Sequence, residues 1–533
     1  MPTPEAEADT IVAMLEQVGR ERTALSFDGE ELSYGDLLDA SRKLTKALQD
    51  KGIVRGDRVA VMLPNGMAWF VIMAACARLG VAMVSLNVRL GPHEVGDLIS
   101  RSRCKAIFFD SANRGGAIKR TLASVDPDRL ATLHLRVDVA SSDDPAPDGV
   151  TRLQDLIRSA GPESDITGEG QGDDVFVMIP TSGTTSLPKL VMHTQERVVG
   201  HLRDIGRAFG LPRDGRFLLA IPLCGGFGFT TAMTCLAAGL TLEVVGEFDP
   251  KVTGDLMISK GVTHAFGTND MLAALIEAHD GDEPFPALKM YGNANFTPGL
   301  DCLPARARAL GIPMIGMFGL TETLAFLAAH DNDTAVERRA NGGGRLVCPS
   351  ASFRVRNEET GNLADKGTPG ELEVKTPHCM IGYFEDEERT AAAFTADGYL
   401  RTGDIVIDRG DESFDFVSRA GDMLRIGGYL VSPAEIEGLI EGIEGVQTCQ
   451  VVAVNQDGKA RPAAFVIAQP GLDLSEEGIR ETCAGQLAVY KRPVRIFFID
   501  EMPTIAGPNG AKVQKNVLRE MAGKSLASNN EKV

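Results

Sequence analysis

Five hydroxyl side chains, a glycine and a lysine crowd the stretch Thr181-Ser182-Gly183-Thr184-Thr185-Ser186-Leu187-Pro188-Lys189. Backbone N–H groups around Gly183 can approach an anion closely, the hydroxyls can donate to its oxygens, and Lys189 adds positive charge. Gripping a polyphosphate requires these groups. The stretch is not a Walker loop, because G-x-x-x-x-G-K-[ST] is absent and no helix starts at the lysine. A Ser/Thr/Gly loop is also the composition of an ordinary turn, so the rest of the chain must choose.

Apolar runs at 175–179 and 190–192 flank the loop and read as strands. A helix follows, with Thr194 as N-cap and Val198, Leu202, Ile205 and Phe209 on one face. Upstream, 57–63 has a buried-strand pattern, 69–79 is helical and 82–86 is a strand again; the alternation recurs at 106–109, 217–221, 240–245 and 314–318. This rhythm predicts an α/β fold with parallel sheets covered by helices and sites at strand C-termini. Residues 161–174 are Gly/Asp/Glu-rich and read as an exposed linker. After about residue 345, short strands at 353–356, 371–375, 404–408 and 414–417 suggest a small β-rich subdomain. Beyond Arg419 a compact α/β unit begins, with a capping box at Ser432-Pro433-Ala434-Glu435 and strands at 448–454, 463–467 and 494–498.

At 533 residues the chain exceeds one hydrophobic core. A net charge of −19 argues against a nucleic-acid-binding surface. Nine scattered cysteines without C-x-x-C spacing suit a reducing, cytoplasmic setting, with neither a zinc site nor a disulfide framework. The acidic N-terminus carries no secretory pattern. Residues 217–241 lack any charge, yet Pro222, Gly225, Gly226 and Gly228 break the run. A buried strand, a glycine-rich turn and a core helix over 231–238 account for it better than a membrane span.

Further polar segments fall where this alternation places loops: Tyr291-Gly292-Asn293-Ala294-Asn295, Phe318-Gly319-Leu320-Thr321-Glu322, Tyr399-Leu400-Arg401-Thr402-Gly403-Asp404, Ser418-Arg419-Ala420-Gly421-Asp422 and Pro508-Asn509-Gly510-Ala511-Lys512-Val513-Gln514-Lys515. With the opening loop they resemble, in order and over residues 32–519, the adenylate-forming superfamily, which includes acyl-CoA synthetases. The resemblance implies a large N-terminal adenylation domain at 1–420, with α/β sheets plus the β-rich subdomain, and a small mobile C-terminal α/β domain at 421–533. It implies ATP, Mg²⁺ and coenzyme A as cofactors.

The opening loop is similar to the family's T-S-G-T-T-G-x-P-K phosphate loop, with Ser186 where glycine is usual. Phe318 and Gly319 would face adenine, Thr321 the α-phosphate, and Glu322 with Thr184 the metal. Asn293, Ala294 and Asn295 stand at the adenine wall, a looser match. A carboxylate at Asp404 can accept both ribose hydroxyls, and Arg419 is the arginine that joins it. Gly421 occupies the hinge. Lys512 aligns with the lysine that bridges carboxylate and α-phosphate, ahead of Lys515 as second candidate. Arg425, Gly427 and Gly428 would line the pantetheine tunnel.

Pro222-Leu223-Cys224-Gly225-Gly226-Phe227-Gly228 stands where the family has P-L-F-H-x-x-G. The acyl pocket is therefore expected from Cys224, Gly225, Phe227, Gly228, Phe229, Met317 and Leu324, and suits an uncharged medium-chain, aromatic or alicyclic acid. The reaction implied joins a carboxylate to the α-phosphorus of ATP, releases pyrophosphate and passes the acyl group to CoA. Two alternatives stay open: loading of a carrier-protein phosphopantetheine, and a nucleotide-binding homologue without catalysis. The expected partners are a small carboxylic acid, ATP and CoA, with no nucleic acid and no membrane span; a homodimer is compatible with the sequence.

Overall fold

The computed structural model describes residues 8–140, 146–181, 188–279, 281–295, 300, 302–331, 333–339, 342–357, 360–419, 424–426, 429–431, 433–456, 458–469, 471–472, 474–507 and 510–530. Expectations on 182–187, Gly421, Gly427, Gly428 and Ser432 lie outside these residues. Arg419, Arg425 and Lys512 are described by their backbone.

Two large sheets form the N-terminal domain. In the first, the parallel strands Arg58–Met62, Ala82–Ser85, Ala106–Phe109 and Leu135–Asp138 neighbour Val175–Thr181, which pairs antiparallel with Lys189–Thr194. Helix Met67–Leu79 packs against this sheet and is apolar around its circumference, as a helix buried on both sides must be. In the second, Arg216–Leu219, Thr241–Val244, His264–Thr268, Met290–Ala294 and Met314–Phe318 run parallel. The charge-free run resolves into strand, turn and the buried helix Gly226–Ala237. Among the described residues no helix is long and apolar enough to cross a membrane.

The β-rich strands do not form a sheet of their own. Gly343–Leu346, Ser413–Arg419, Leu400–Asp408, Pro369–Lys375 and Ser352–Arg356 extend the second sheet antiparallel, giving it thirteen strands. Buried Glu373 ties this edge by accepting from Arg354 Nε at 2.5 Å and Arg356 Nε at 2.6 Å. The segment 161–174 is more firmly held than a linker. Gly170 donates its N–H to Arg78 O at 2.7 Å, and Asp174 accepts from Arg55 Nε at 2.7 Å. A Cβ on Gly170 would lie 2.1 Å from Ala77 O, so the chain passes there only as glycine.

The small C-terminal domain has its own core, around Ile436, Ile440, Val451, Val466 and Ile496. Its three-stranded sheet joins Val446–Gln456, Lys459–Ala468 and Ile496–Phe498, backed by helices Pro433–Glu441 and Glu476–Gln486.

Candidate functional site

Several of the residues singled out by type and spacing lie at the C-terminal ends of parallel strands, where an open α/β sheet makes a crevice. Asn293 and Ala294 end Met290–Ala294, and Phe318 ends the neighbouring Met314–Phe318. A cavity of about 210 Å³ opens between them, lined by Phe227, Asn295, Met317, Phe318, Ala325 and Phe326 among others. Asn295 accepts through Oδ1 from Asn269 Nδ2. The Asn293 side-chain oxygen is buried without a partner among the described residues.

Phe318 is fixed edge-on by Phe414, at 5.4 Å between ring centres. Beyond it the chain bends sharply. Leu324 and Ala325 hold φ of 55° and 67°, in the left-handed region that costs non-glycine residues energy. This bend lays Ala325 O against Gly319, where a Cβ would sit only 0.9 Å away. Leu324 is consequently buried in the core rather than on the cavity wall; Ala325 and Phe326 take that place.

The loop carrying Thr321 and Glu322 is braced from below by two histidines. His193 Nε2–H donates to Thr321 O at 2.8 Å and His201 Nε2–H to Leu324 O at 3.2 Å. Burial lowers these imidazoles to about 4 and about 3, so both are neutral near pH 7. Helix Gln195–Ala208, which carries His201, is clamped to the β-rich strands by His378 Nε2 against Asp204 Oδ2 at 2.9 Å. Gly200 makes room for that imidazole.

Tyr383 is the residue that sequence reasoning missed. It belongs to a two-residue strand, Gly382–Tyr383, paired with Lys189–Thr194. Its hydroxyl donates to Glu322 Oε1 at 2.9 Å and accepts from Lys189 Nζ at 3.2 Å. The ammonium also lies 4.5 Å from the ring centre, a cation–π distance. Thr181 and Lys189 face each other across the strand pair bounding the hydroxyl-rich loop. One phenol thereby links the loop's lysine to the carboxylate of the next segment.

On the opposite side, Asp404 and Arg419 are register partners across an antiparallel pair. Thr402 Oγ1 accepts the Asp404 N–H at 3.1 Å and donates to Leu372 O at 2.8 Å, while Gly403 takes a φ of 67°. That turn accounts for threonine followed by glycine before the aspartate. Burial keeps Asp404 largely out of solvent.

The segment Pro222–Gly228 abuts this crevice. Asn65, a second residue the sequence reading missed, holds it: Leu223 N–H donates to Asn65 Oδ1 at 2.9 Å, and Asn65 Nδ2 donates to Ile221 O at 3.0 Å. A Cβ on Gly226 would touch Thr321 Oγ1 at 3.4 Å, and one on Gly228 would meet Pro222 O at 2.1 Å. Phe227 reaches the cavity; Cys224, Gly225 and Gly228 do not line it. Burial pushes the Cys224 thiol up to about 12, which leaves it a poor nucleophile. Lys512 lies on the strand Gly510–Val513, opposite Ile505. Lys515 Nζ packs 3.4 Å from Glu437 Oε1 within the C-terminal domain.

A two-domain α/β molecule with such a crevice is a scaffold shared by many functions, and comparison with known proteins defines this one. The AMP-binding enzyme family matches residues 14–384, and the AMP-binding enzyme C-terminal domain matches 435–506. The chain therefore belongs to the AMP-binding enzyme family. It is 28% identical over 516 residues to 3-[(3aS,4S,7aS)-7a-methyl-1,5-dioxo-octahydro-1H-inden-4-yl]propanoyl:CoA ligase of Rhodococcus jostii, covering 94% of this chain and 96% of that one. Two structures of o-succinylbenzoate CoA synthetase from Bacillus subtilis, each 23% identical, cover 96% of this chain and 98% of theirs. The complex of a double mutant with the product analogue OSB-NCoA superposes with a TM-score of 0.80, and the complex with AMP with 0.67.

Proposed function

We propose that this protein is an AMP-forming acyl-CoA ligase: it activates a carboxylic acid with ATP, releases pyrophosphate and transfers the acyl group to coenzyme A. The observation that carries the reading is the Lys189–Tyr383–Glu322 chain, which joins the lysine of the hydroxyl-rich loop to the carboxylate that follows the cavity-lining Phe318 and Gly319. Adenylation brings two anions together, so the protein's task is charge neutralisation and in-line positioning rather than proton transfer. Phe318, Gly319 and Asn293–Asn295 would seat adenine, Asp404 and Arg419 the ribose, and Thr181–Thr185 with Lys189 the departing pyrophosphate. Thr321 and Lys512 would contact the α-phosphate.

A hard cation suits the Glu322 carboxylate, which a phenol holds in place; by the family resemblance Thr184 would offer a second oxygen. Bound there, Mg²⁺ would neutralise charge on the phosphate oxygens. Nine free cysteines favour a reducing compartment and hence the cytoplasm.

The cavity also speaks to the acid. Phe326, on the cavity wall with Phe227, packs edge-on against Phe227 at 5.4 Å and Phe266 at 5.0 Å, so this side of the cavity is aromatic. A ring-shaped acid suits such an aromatic wall. The Rhodococcus relative, named for a bicyclic propanoate, accords with that choice. We therefore assign an aromatic or alicyclic acid as substrate.

We assign the arrangement of the domains to the second half-reaction. The two Bacillus structures are of one enzyme and superpose on this chain with TM-scores of 0.80 and 0.67. This chain superposes better on the complex with the CoA-containing product analogue. The test is acid-dependent pyrophosphate release across benzoate, cyclohexanecarboxylate, phenylpropanoate and octanoate, followed by mass analysis after adding CoA. Cyclic acids should be turned over to thioesters. Release without thioester would favour a carrier protein as acceptor, and ATP binding without release would favour a non-catalytic homologue.

A further inference from the structure

Lys491 is a buried ammonium between two carboxylates that belong to different domains. Its Nζ lies 2.5 Å from Glu94 Oε1, in the N-terminal helix Pro92–Ser102, and 2.7 Å from Glu435 Oε1, in the first turn of the C-terminal helix Pro433–Glu441. All three side chains are at most 10% exposed. The second Glu94 oxygen accepts the Gly91 N–H at 2.9 Å, which fixes the carboxylate at its helix N-terminus. Beside this contact the end of helix Glu476–Gln486 is within van der Waals reach, Gln486 O standing 3.5 Å from where a Cβ on Gly91 would lie. The family's phosphate, ribose and metal residues are all elsewhere.

A charge triad of this kind adds little net stability, because desolvation offsets most of the Coulomb attraction. It discriminates strongly between arrangements, since any other apposition of the domains leaves Glu94 and Lys491 without each other. Low net strength with high positional selectivity suits a contact that must form and break in each cycle. Glu435 stays with Lys491 when the domains part, so the lysine is never left buried and alone.

We propose that Glu94 and Lys491 are positioning residues for the second half-reaction: their contact holds the C-terminal domain in the arrangement from which the acyl group passes to CoA, and it opens for adenylation. The inference rests on the acyl-CoA ligase reading above. Glu94→Gln is the direct perturbation, because the amide oxygen can still accept the Gly91 N–H while Lys491 keeps Glu435.

The full-length variant and wild type are compared with the acid that serves the wild type best, in two single-turnover assays. These are pyrophosphate release without CoA, and thioester formation when CoA is added to preformed adenylate. The expected result is a release rate within about twofold of wild type and thioester formation slowed about tenfold, the effect of one weakened buried charge contact. The reciprocal exchange Glu94→Lys with Lys491→Glu should restore most of the transfer rate. Small-angle scattering of the free proteins supplies a readout independent of substrate: Glu94→Gln should shift the domain arrangement away from that of wild type. Equal loss in both steps, no loss in either, or scattering identical to wild type overturns the inference. A wild type that releases no pyrophosphate with any acid overturns the ligase reading instead, and scattering then decides the contact by itself.

Discussion

Replacing Tyr383 with phenylalanine removes one oxygen and leaves the ring. The lost hydroxyl donates to Glu322 at 2.9 Å and accepts from Lys189 at 3.2 Å. Hydrogen bonds to charged groups are worth about 1.5–3 kcal/mol. The cation–π contact at 4.5 Å survives the change, so the effect should come from Glu322 losing its orientation and Lys189 its tether. On that basis adenylation should slow by between about ten- and a hundredfold. The proposed cation site should weaken in parallel, raising the Mg²⁺ concentration needed for half-maximal rate. Transfer from preformed adenylate to CoA should change little, because pyrophosphate and its counter-charges have left by then. Stopped-flow pyrophosphate detection across a Mg²⁺ titration measures both quantities. A Tyr383→Phe enzyme with wild-type rate and wild-type Mg²⁺ dependence would refute the reasoning.

Three further outcomes are expected. Gly319→Ala forces a Cβ to within 0.9 Å of Ala325 O; displacing that backbone should cost about 1–3 kcal/mol in a urea melt and at least about a hundredfold in adenylation, whereas near-normal values would show that the bend can relax. Lys512→Ala should slow acid-dependent pyrophosphate release by about a hundredfold and spare transfer to CoA, and equal loss in both steps would remove Lys512 from its assigned role. Finally, an unfolded imidazole near 6.5 takes up its proton before the buried His193, held down to about 4, can do so. Stability from this group is therefore full above pH 6.5 and withdrawn as pH falls toward 4, by roughly 3 kcal/mol. His193→Gln keeps an N–H for Thr321 O and should make the melting temperature less sensitive between pH 7 and 5; slopes identical to wild type would contradict this.

What the sequence made legible follows from the range of the interactions involved. Strands such as Ala106–Phe109 and Met314–Phe318 announce themselves through continuous apolar runs, and helix Gln195–Ala208 through its 3.6-residue stripe. The polar segments at Glu322 and Asp404 were readable because each keeps its spacing within a few residues. Pairings between distant segments were not. The antiparallel strands after residue 345 read as a separate subdomain, since nothing local tells Ser413–Arg419 that its neighbour is Gly343–Leu346. Tyr383 sits 61 residues from Glu322, and a lone tyrosine beside a glycine carries no sign of a carboxylate partner. Lys491 and Glu94 are 397 residues apart. Glu435 was legible only as a helix-capping acid, although its carboxylate faces Lys491. Of the expected wall residues, Phe227 and Met317 do line the cavity, whereas Leu324 and Phe326 differ little in a sequence, and the left-handed bend at Leu324 and Ala325 decides which of them meets it.

The thirteen-stranded sheet bears on how the molecule could move without losing its cargo. Ser413–Arg419 is held on one side by Leu400–Asp408 and on the other by Gly343–Leu346, so Asp404 and Arg419 belong to the fixed framework. The C-terminal domain is tethered directly beyond Arg419. A hinge there, as the family resemblance implies, would be mounted on the strand proposed to carry the ribose contact. The proposed opening of that domain would exchange one set of groups for another while leaving Asp404 and Arg419 still, so that an adenylate made in one arrangement would stay seated until the next.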